Sequence, residues 1–364
     1  MRNFPGDVLY AVKANPHPLV LDAVYEAGVK WFDVASMAEV ELVGQRFKDA
    51  KIAFMHPVKA RSAIRRSYFE FGVRIFSLDS HDELQKIIAE TEGAKDLNLI
   101  IRLAVTGDYA QHNLSGKFGA SGAEAVMLLR EARSYAAELG VSFHVGSQCM
   151  RPEAWRIAME TTSDIIRQAH VTVDIVDVGG GFPAAYPGLT PPPLDQYVDE
   201  IKAAFEAMPV LENADLWCEP GRALCAEAGS HILRVELRKG DALYLNDGGY
   251  GALFDAAHDG LVFPTRLLRA KGGARRPLRA FRLFGPTCDS IDTLAGPFFL
   301  PSDVKEGDYI EFGMTGAYGA ALATTFNGFG KYVECIVADA PMTSMYGLAA
   351  KGSQANVVTL TKTR

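Results

Sequence analysis

The chain has 364 residues, 48% of them hydrophobic and 22% charged, which excludes a disordered segment and leaves room for two domains, or for one barrel with an appendage. A formal net charge of -7 argues against a nucleic-acid surface and leans towards small cationic ligands. The five cysteines (Cys149, Cys218, Cys225, Cys288 and Cys335) are odd in number and lack a C-x-x-C pair; they indicate neither a metal site nor a disulfide framework and suit a reducing cytoplasm.

Residues 8–12 form a short apolar run that reads as a buried strand, and Asn15-Pro16 ends it with turn chemistry. Lys13 therefore stands at a strand mouth. A lysine withdrawn from bulk water has a depressed pKa and can form a Schiff base with an aldehyde-bearing cofactor; a surface lysine closing a strand is the plainer alternative. Helical spacing over 17–28 stops at Gly28. Strand candidates follow at 31–35, 52–55, 73–78, 97–105, 142–145, 175–178 and 216–218, with the clearest helices at 80–90, 121–139 and 151–169. Strands joined by helical crossovers predict an α/β fold with a parallel sheet, closed as a (β/α)8 TIM-like barrel over 1–228; an open doubly wound sheet is the competitor. From 229 to 364 strand-like runs at 231–237, 242–245, 278–283, 308–312 and 332–337, separated by Gly and Pro, predict a mainly β domain. The basic run 269–276 reads as an exposed loop between two of these strands. No apolar stretch of about 18 residues and no charged-then-apolar leader is present, so neither a membrane span nor a signal peptide is expected.

A barrel builds its active face from the loops at the carboxyl ends of its strands, and Lys13, Asp33, His56, Asp79, Arg102, His144, Gly179-Gly180-Gly181 and Glu219-Pro220-Gly221-Arg222 all fall there. Three successive glycines let backbone N–H groups close on an anion such as a phosphate, although a tight turn needs them equally; there is no nucleotide P-loop motif. Gly221-Arg222 offers a second anion site. Glu219 could keep the ring nitrogen of a pyridine cofactor protonated, or pair with Arg222 or Arg102. His144 either lies flat on a ring or is a satisfied core histidine. Cys288, inside Gly285-Pro-Thr-Cys-Asp-Ser-Ile-Asp292, could protonate a carbanion beside an Asp289 suited to a distal ammonium group, or belong to a loop with turn-forming acids. Tyr318 supplies a phenol that could reach a phosphate.

The motifs Tyr10-Ala-Val-Lys-Ala-Asn15, Phe143-His-Val-Gly-Ser147, Gly179-Gly-Gly-Phe-Pro183, Glu219-Pro-Gly-Arg222, Gly285-Pro-Thr-Cys-Asp289, Gly316-Ala-Tyr318 and Thr325-Phe-Asn-Gly-Phe329 occur in one order over nearly the whole chain. Together they resemble the alanine-racemase-like, barrel-type pyridoxal 5'-phosphate (PLP) decarboxylases, most closely the ornithine decarboxylase family with its lysine, diaminopimelate and arginine branches. The resemblance implies PLP as cofactor, with Lys13 bonded to its aldehyde, Glu219 facing the ring nitrogen and His144 stacked on the ring. It assigns the phosphate to Ser147, Gly179, Gly180, Gly181, Gly221, Arg222 and Tyr318, with Asp33 and Arg102 in support from the barrel floor. It further implies a head-to-tail homodimer with shared sites, in which Cys288 and Asp289 reach the partner's cofactor and Cys288 reprotonates Cα. Asp259 matches a second acid for the distal amine, Tyr250 and Phe326 line the same pocket, and Lys117 and Asp292 match a pair joining the subunits.

Relatives acting on diaminopimelate carry a Cys-Glu-Ser-Gly pattern where this chain has Cys288-Asp289-Ser290-Ile291. The acid-lined form implies a terminal ammonium, hence ornithine to putrescine in polyamine biosynthesis, with lysine close behind, since one methylene discriminates by only ~1 to 3 kcal/mol. Noncatalytic regulatory relatives have lost cofactor residues, whereas Lys13, Glu219 and Cys288 are retained here; Glu219 in place of an arginine at the ring nitrogen disfavours a racemase. Family members carry a few dozen residues before the lysine strand, so nine before Tyr10 lead one to expect an open β-domain edge and barrel flank.

Overall fold

Apolar runs alternate with capped helices in the order β1 (Asp7–Ala11), α1 (Pro18–Glu26), β2 (Trp31–Val34), α2 (Met37–Arg46), β3 (Lys51–Phe54), α3 (Arg61–Phe71), β4 (Ile75–Leu78), α4 (His81–Glu90) and β5 (Asn98–Arg102). There follow β6 (Ala110–His112), α5 (Gly122–Arg133), β7 (Glu138–Ser142), β8 (Ser147–Cys149), α6 (Glu153–Ala169), β9 (Ile175–Asp177), α7 (Leu194–Glu206) and β10 (Asp215–Cys218). This computed structural model describes residues 3–105, 116–269 and 277–347, with the backbones of 110–112 and 357–359. Local chemistry starts the helices: the Ser36 and Ser80 hydroxyls accept the amides of Glu39 and Glu83 at 3.3 and 3.4 Å, each a Ser-x-x-Glu start.

Eight strands pair in parallel and close on themselves in the order β1-β10-β9-β7-β5-β4-β3-β2, so the barrel prevails over the open sheet. Leu9, Ala53, Met55, Ile75, Ile100, Ile175 and Trp217 form one buried cluster, where each large side chain contributes about 1.5–3 kcal/mol. One strand expectation within the barrel is corrected. The strand expected at 142–145 is β7, four residues earlier, and the helix expected to 139 ends at Arg133. Gly140 sits inside β7, where a Cβ would meet Ile100 Cδ1 at 2.4 Å and Ile175 Cβ at 3.0 Å.

Residues 1–183 and 191–221 make one compact unit; residues 184–190 and 222–364 make the other. The second contains α8 (Arg222–Cys225), β11 (His231–Lys239), β12 (Ala242–Leu245), α9 (Phe254–His258), β13 (Thr265–Arg269), β14 (Leu278–Phe284), β15 (Thr293–Pro301), β16 (Tyr309–Phe312) and β17 (Val357–Thr359). Its strands form a seven-stranded sheet, β15-β14-β12-β11-β16-β13-β17, with Leu243, Leu267, Phe281, Phe298, Ile310 and Phe312 buried. The strand expected at 332–337 is not one: the segment has no regular structure and leaves Val333 95% exposed. Among the described residues nothing covers its β-branched Val333, Ile336 and Val337, and strand propensity has little force without packing. Arg269 is likewise no loop residue. It is buried in β13 against Asp308 at 2.6 Å and Asp303 at 3.0 Å, while 270–276 lie outside the described residues. Among the described residues no helix is long and apolar enough to cross a membrane.

Candidate active site

β1 ends at Ala11 and the chain tightens into a 3-10 turn over Val12–Ala14, which delivers Lys13 to the carboxyl end of the barrel. The parallel register sets Ala11 beside Asp33 of β2, so the two side chains meet: Lys13 Nζ lies 2.7 Å from Asp33 Oδ2. Their side chains are 43% and 1% exposed. The lysine is therefore open at the mouth and paired with a buried carboxylate; the withdrawal from water inferred from the sequence is corrected.

β9 and β10 are neighbours, so Asp177 and Glu219, at and just past their carboxyl ends, come together in a buried place. Burial raises both carboxyl pKa values; the charge of Asp177 raises that of Glu219 further, while the hydrogen bond between the two carboxyls tempers the rise at Asp177. Among the described residues no N–H or O–H donor fixed by the fold reaches Glu219 Oε1 or Asp177 Oδ2. A buried acceptor without a donor is a costly arrangement, and the N–H of a protonated pyridine ring would satisfy it. The residues present thus fit the expected cofactor.

His144, two residues past β7, accepts the Gly146 amide on Nδ1 at 2.9 Å. Burial and the positive charges of Arg102 and Lys13 push its pKa down to about 3, so the ring is neutral with its proton on Nε2. It can present a flat face but no cationic acid. A Cβ on Gly180 would lie 2.7 Å from the Glu219 carbonyl and 3.1 Å from His144 Nε2, and Gly179, at φ +66, would clash with the Phe143 carbonyl at 2.0 Å. The glycines let the loop close on these groups. Gly179 donates its amide to Asp177 Oδ1 at 2.9 Å, so that amide is engaged within the loop and not turned to an anion as the sequence led one to expect. Arg102 ends β5 beneath Phe118, Ser147 opens β8, and Gly221 is buried at the end of the barrel unit.

In the second unit Arg222 is buried, donating through Nη1 to Asp255 Oδ2 at 2.7 Å and to Tyr186 Oη at 3.1 Å. Its guanidinium carbon lies 4.9 Å from the Tyr318 ring. Tyr318 has φ +55, a left-handed backbone that an aromatic residue adopts only when its surroundings enforce it. Neither Tyr186 nor Asp255 is signalled by sequence, because their partners are distant along the chain; the same holds for Asp177 beside Glu219.

The loop carrying Cys288 is folded around Asp292. That buried carboxylate accepts Gly249 N at 2.8 Å, Thr287 N at 3.1 Å and Thr287 Oγ1 at 2.7 Å, in space that a Cβ at Gly248 or Gly285 would fill. Asp292 is thus an internal anchor of its own unit. Cys288 is exposed. Tyr250 donates its hydroxyl to Asp289 Oδ2 at 2.6 Å, which with the Ile291 amide holds the Asp289 carboxyl below the usual carboxylate range. The Phe326 ring lies 4.9 Å from that of Tyr250, and Asp259 ends α9.

A sequence profile described as the pyridoxal-dependent decarboxylase, pyridoxal binding domain, matches residues 2–226. The chain is 30% identical over 352 residues to a lysine/ornithine decarboxylase of Selenomonas ruminantium, covering 93% of this chain and 86% of that one. It is 32% identical over 351 residues to an ornithine decarboxylase of Panagrellus redivivus, covering 88% and 78%. Among solved structures, the Paramecium bursaria Chlorella virus arginine decarboxylase superposes with a TM-score of 0.79 at 29% identity, over 90% of this chain and 89% of that one.

Proposed function

The chain belongs to the pyridoxal-dependent decarboxylases, a family of PLP-dependent carboxy-lyases acting on basic amino acids, and from that premise we propose that it converts L-ornithine to putrescine and carbon dioxide. The observation that carries the choice of substrate is Asp289, kept ionised by the Tyr250 hydroxyl one residue after Cys288. A carboxylate there recognises a terminal ammonium and repels a second substrate carboxylate.

When bound, PLP supplies an aldehyde and an electron-withdrawing ring that accepts the electron pair released with carbon dioxide. Lys13 is the amine that holds the aldehyde, kept in place by Asp33. Glu219 accepts the ring N–H and so keeps the ring protonated. His144, neutral, covers a ring face without adding charge. Gly180, Gly181, Gly221, Ser147, Arg222 and Tyr318 bind the phosphate. Cys288 gives a proton to Cα after carbon dioxide leaves, and Asp289 with Asp259, Tyr250 and Phe326 receives the distal ammonium. Two chains complete each other's sites, the β region over 229–364 supplying Cys288 and Asp289 to the Lys13 of its partner. The compartment is the reducing cytoplasm.

The test is to offer the PLP-loaded protein ornithine, lysine, arginine and diaminopimelate and to measure carbon dioxide and amine. Putrescine should form fastest; cadaverine or agmatine as main product overturns the choice of ornithine. For the shared site, Lys13→Ala and Cys288→Ala proteins, each poorly active, should regain activity when their subunits are mixed and exchanged.

A further inference from the structure

Residues 184–190 follow the glycine loop in sequence yet belong with the second compact unit, and Tyr186 is their buried aromatic. Its ring packs edge-on against Phe263, with centroids 5.4 Å apart, and its hydroxyl oxygen accepts from Arg222 Nη1 at 3.1 Å. The same nitrogen donates to Asp255 Oδ2 at 2.7 Å, and both side chains of that ion pair are 5% exposed. A guanidinium is a rigid planar fork, so two acceptors on one nitrogen fix its plane, and the Tyr318 ring at 4.9 Å restricts its tilt. Asp255 supplies the opposite charge that a buried arginine requires before any anion arrives. The phenol gives the fork a second fixed direction beside that of the carboxylate.

We propose that Tyr186 is a positioning residue for Arg222, holding its guanidinium in the orientation that receives the phosphate of PLP. This rests on the assignment of Arg222 to that phosphate. An oriented fork forms its charged hydrogen bonds without first losing rotational freedom, so the gain should appear in phosphate affinity.

Tyr186→Phe keeps the ring against Phe263 and deletes only the oxygen. The affinities of cofactor-free protein for PLP and for pyridoxal, which lacks the phosphate, are measured by absorbance titration, with Arg222→Gln alongside. Tyr186→Phe should weaken PLP binding about tenfold, the size of one lost hydrogen bond to a charged group, and leave pyridoxal binding unchanged. Arg222→Gln should abolish most of the preference for PLP over pyridoxal. If Arg222→Gln removes that preference and Tyr186→Phe does not, the role of Tyr186 is refuted while that of Arg222 stands. An Arg222→Gln protein that keeps the preference overturns the phosphate assignment itself. Equal weakening of both ligands by Tyr186→Phe, or loss of both through misfolding, shows a merely structural tyrosine and refutes the proposal.

Discussion

The carboxyl groups of Asp177 and Glu219 meet at the buried carboxyl ends of adjacent barrel strands, where burial raises the pKa of both. Both pKa values lie above their unfolded ones, so the fold binds more protons than the unfolded chain just above the ordinary carboxylate range. Stability therefore falls as pH rises through and above that window. Glu219→Gln should make the cofactor-free protein about 1–3 kcal/mol more stable at pH 8, with no gain at pH 3, while abolishing most decarboxylation. Urea unfolding at the two pH values reads this directly; a less stable variant at pH 8 would show that the carboxylates do not oppose each other.

Lys59 shows the opposite sign. It is enclosed beneath the barrel mouth, with Nζ 3.0 Å from Glu83 Oε1, and burial lowers its pKa to about 8. Between that value and 10.5 the unfolded chain keeps a proton that the fold has lost, so this lysine adds stability as pH rises across the window. The Lys59→Met protein should lack the increment, roughly 3 kcal/mol, in denaturation midpoints compared from pH 7.5 to 10.5. Glu83→Ala leaves the cation unpaired and should cost about 3–5 kcal/mol at pH 7.

Two histidines should separate cleanly in a titration followed by side-chain nitrogen NMR. His144, with its pKa down at about 3, should stay neutral from pH 8 to 5. His81, raised by its hydrogen bond and charge interaction with Glu131, should protonate above the usual histidine midpoint. A His144 that gains its proton near pH 6 would contradict the neutral ring.

Gly180→Ala places a methyl group 2.7 Å from the Glu219 carbonyl and 3.1 Å from the His144 ring. Neither neighbour can yield without moving the groups that face the cofactor. The substitution should cost about 1–3 kcal/mol of stability and weaken PLP binding at least tenfold, measured by thermal unfolding and by titration of the cofactor absorbance. Unchanged affinity would mean that the loop relaxes away from the site.

The barrel was readable because its signals are local: apolar runs, helical spacing and Ser-x-x-Glu starts recur along the chain. The helix expected to 139 overran into β7 because a glycine inside a strand carries no local mark, and only Ile100 and Ile175 reveal the place of Gly140. The run at 332–337 misled for the converse reason, having strand composition while Val333, Ile336 and Val337 stay exposed among the described residues. Lys13, Glu219 and Cys288 stand in motifs and were visible. Asp33 stands at a strand end and was visible too, whereas Tyr186 and Asp255, 36 and 33 residues from Arg222, were not, since nothing local marks either.

The excursion of residues 184–190 has a consequence for dissection of the molecule. No single backbone cleavage separates the two compact units, since the chain leaves the first, visits the second and returns before crossing for good. A fragment ending at Gly221 would carry Tyr186 stripped of Phe263 and Arg222, presenting a bare aromatic ring to solvent. Domain swaps within this fold must therefore transplant the short detour together with the β unit, or leave behind an adhesive scar.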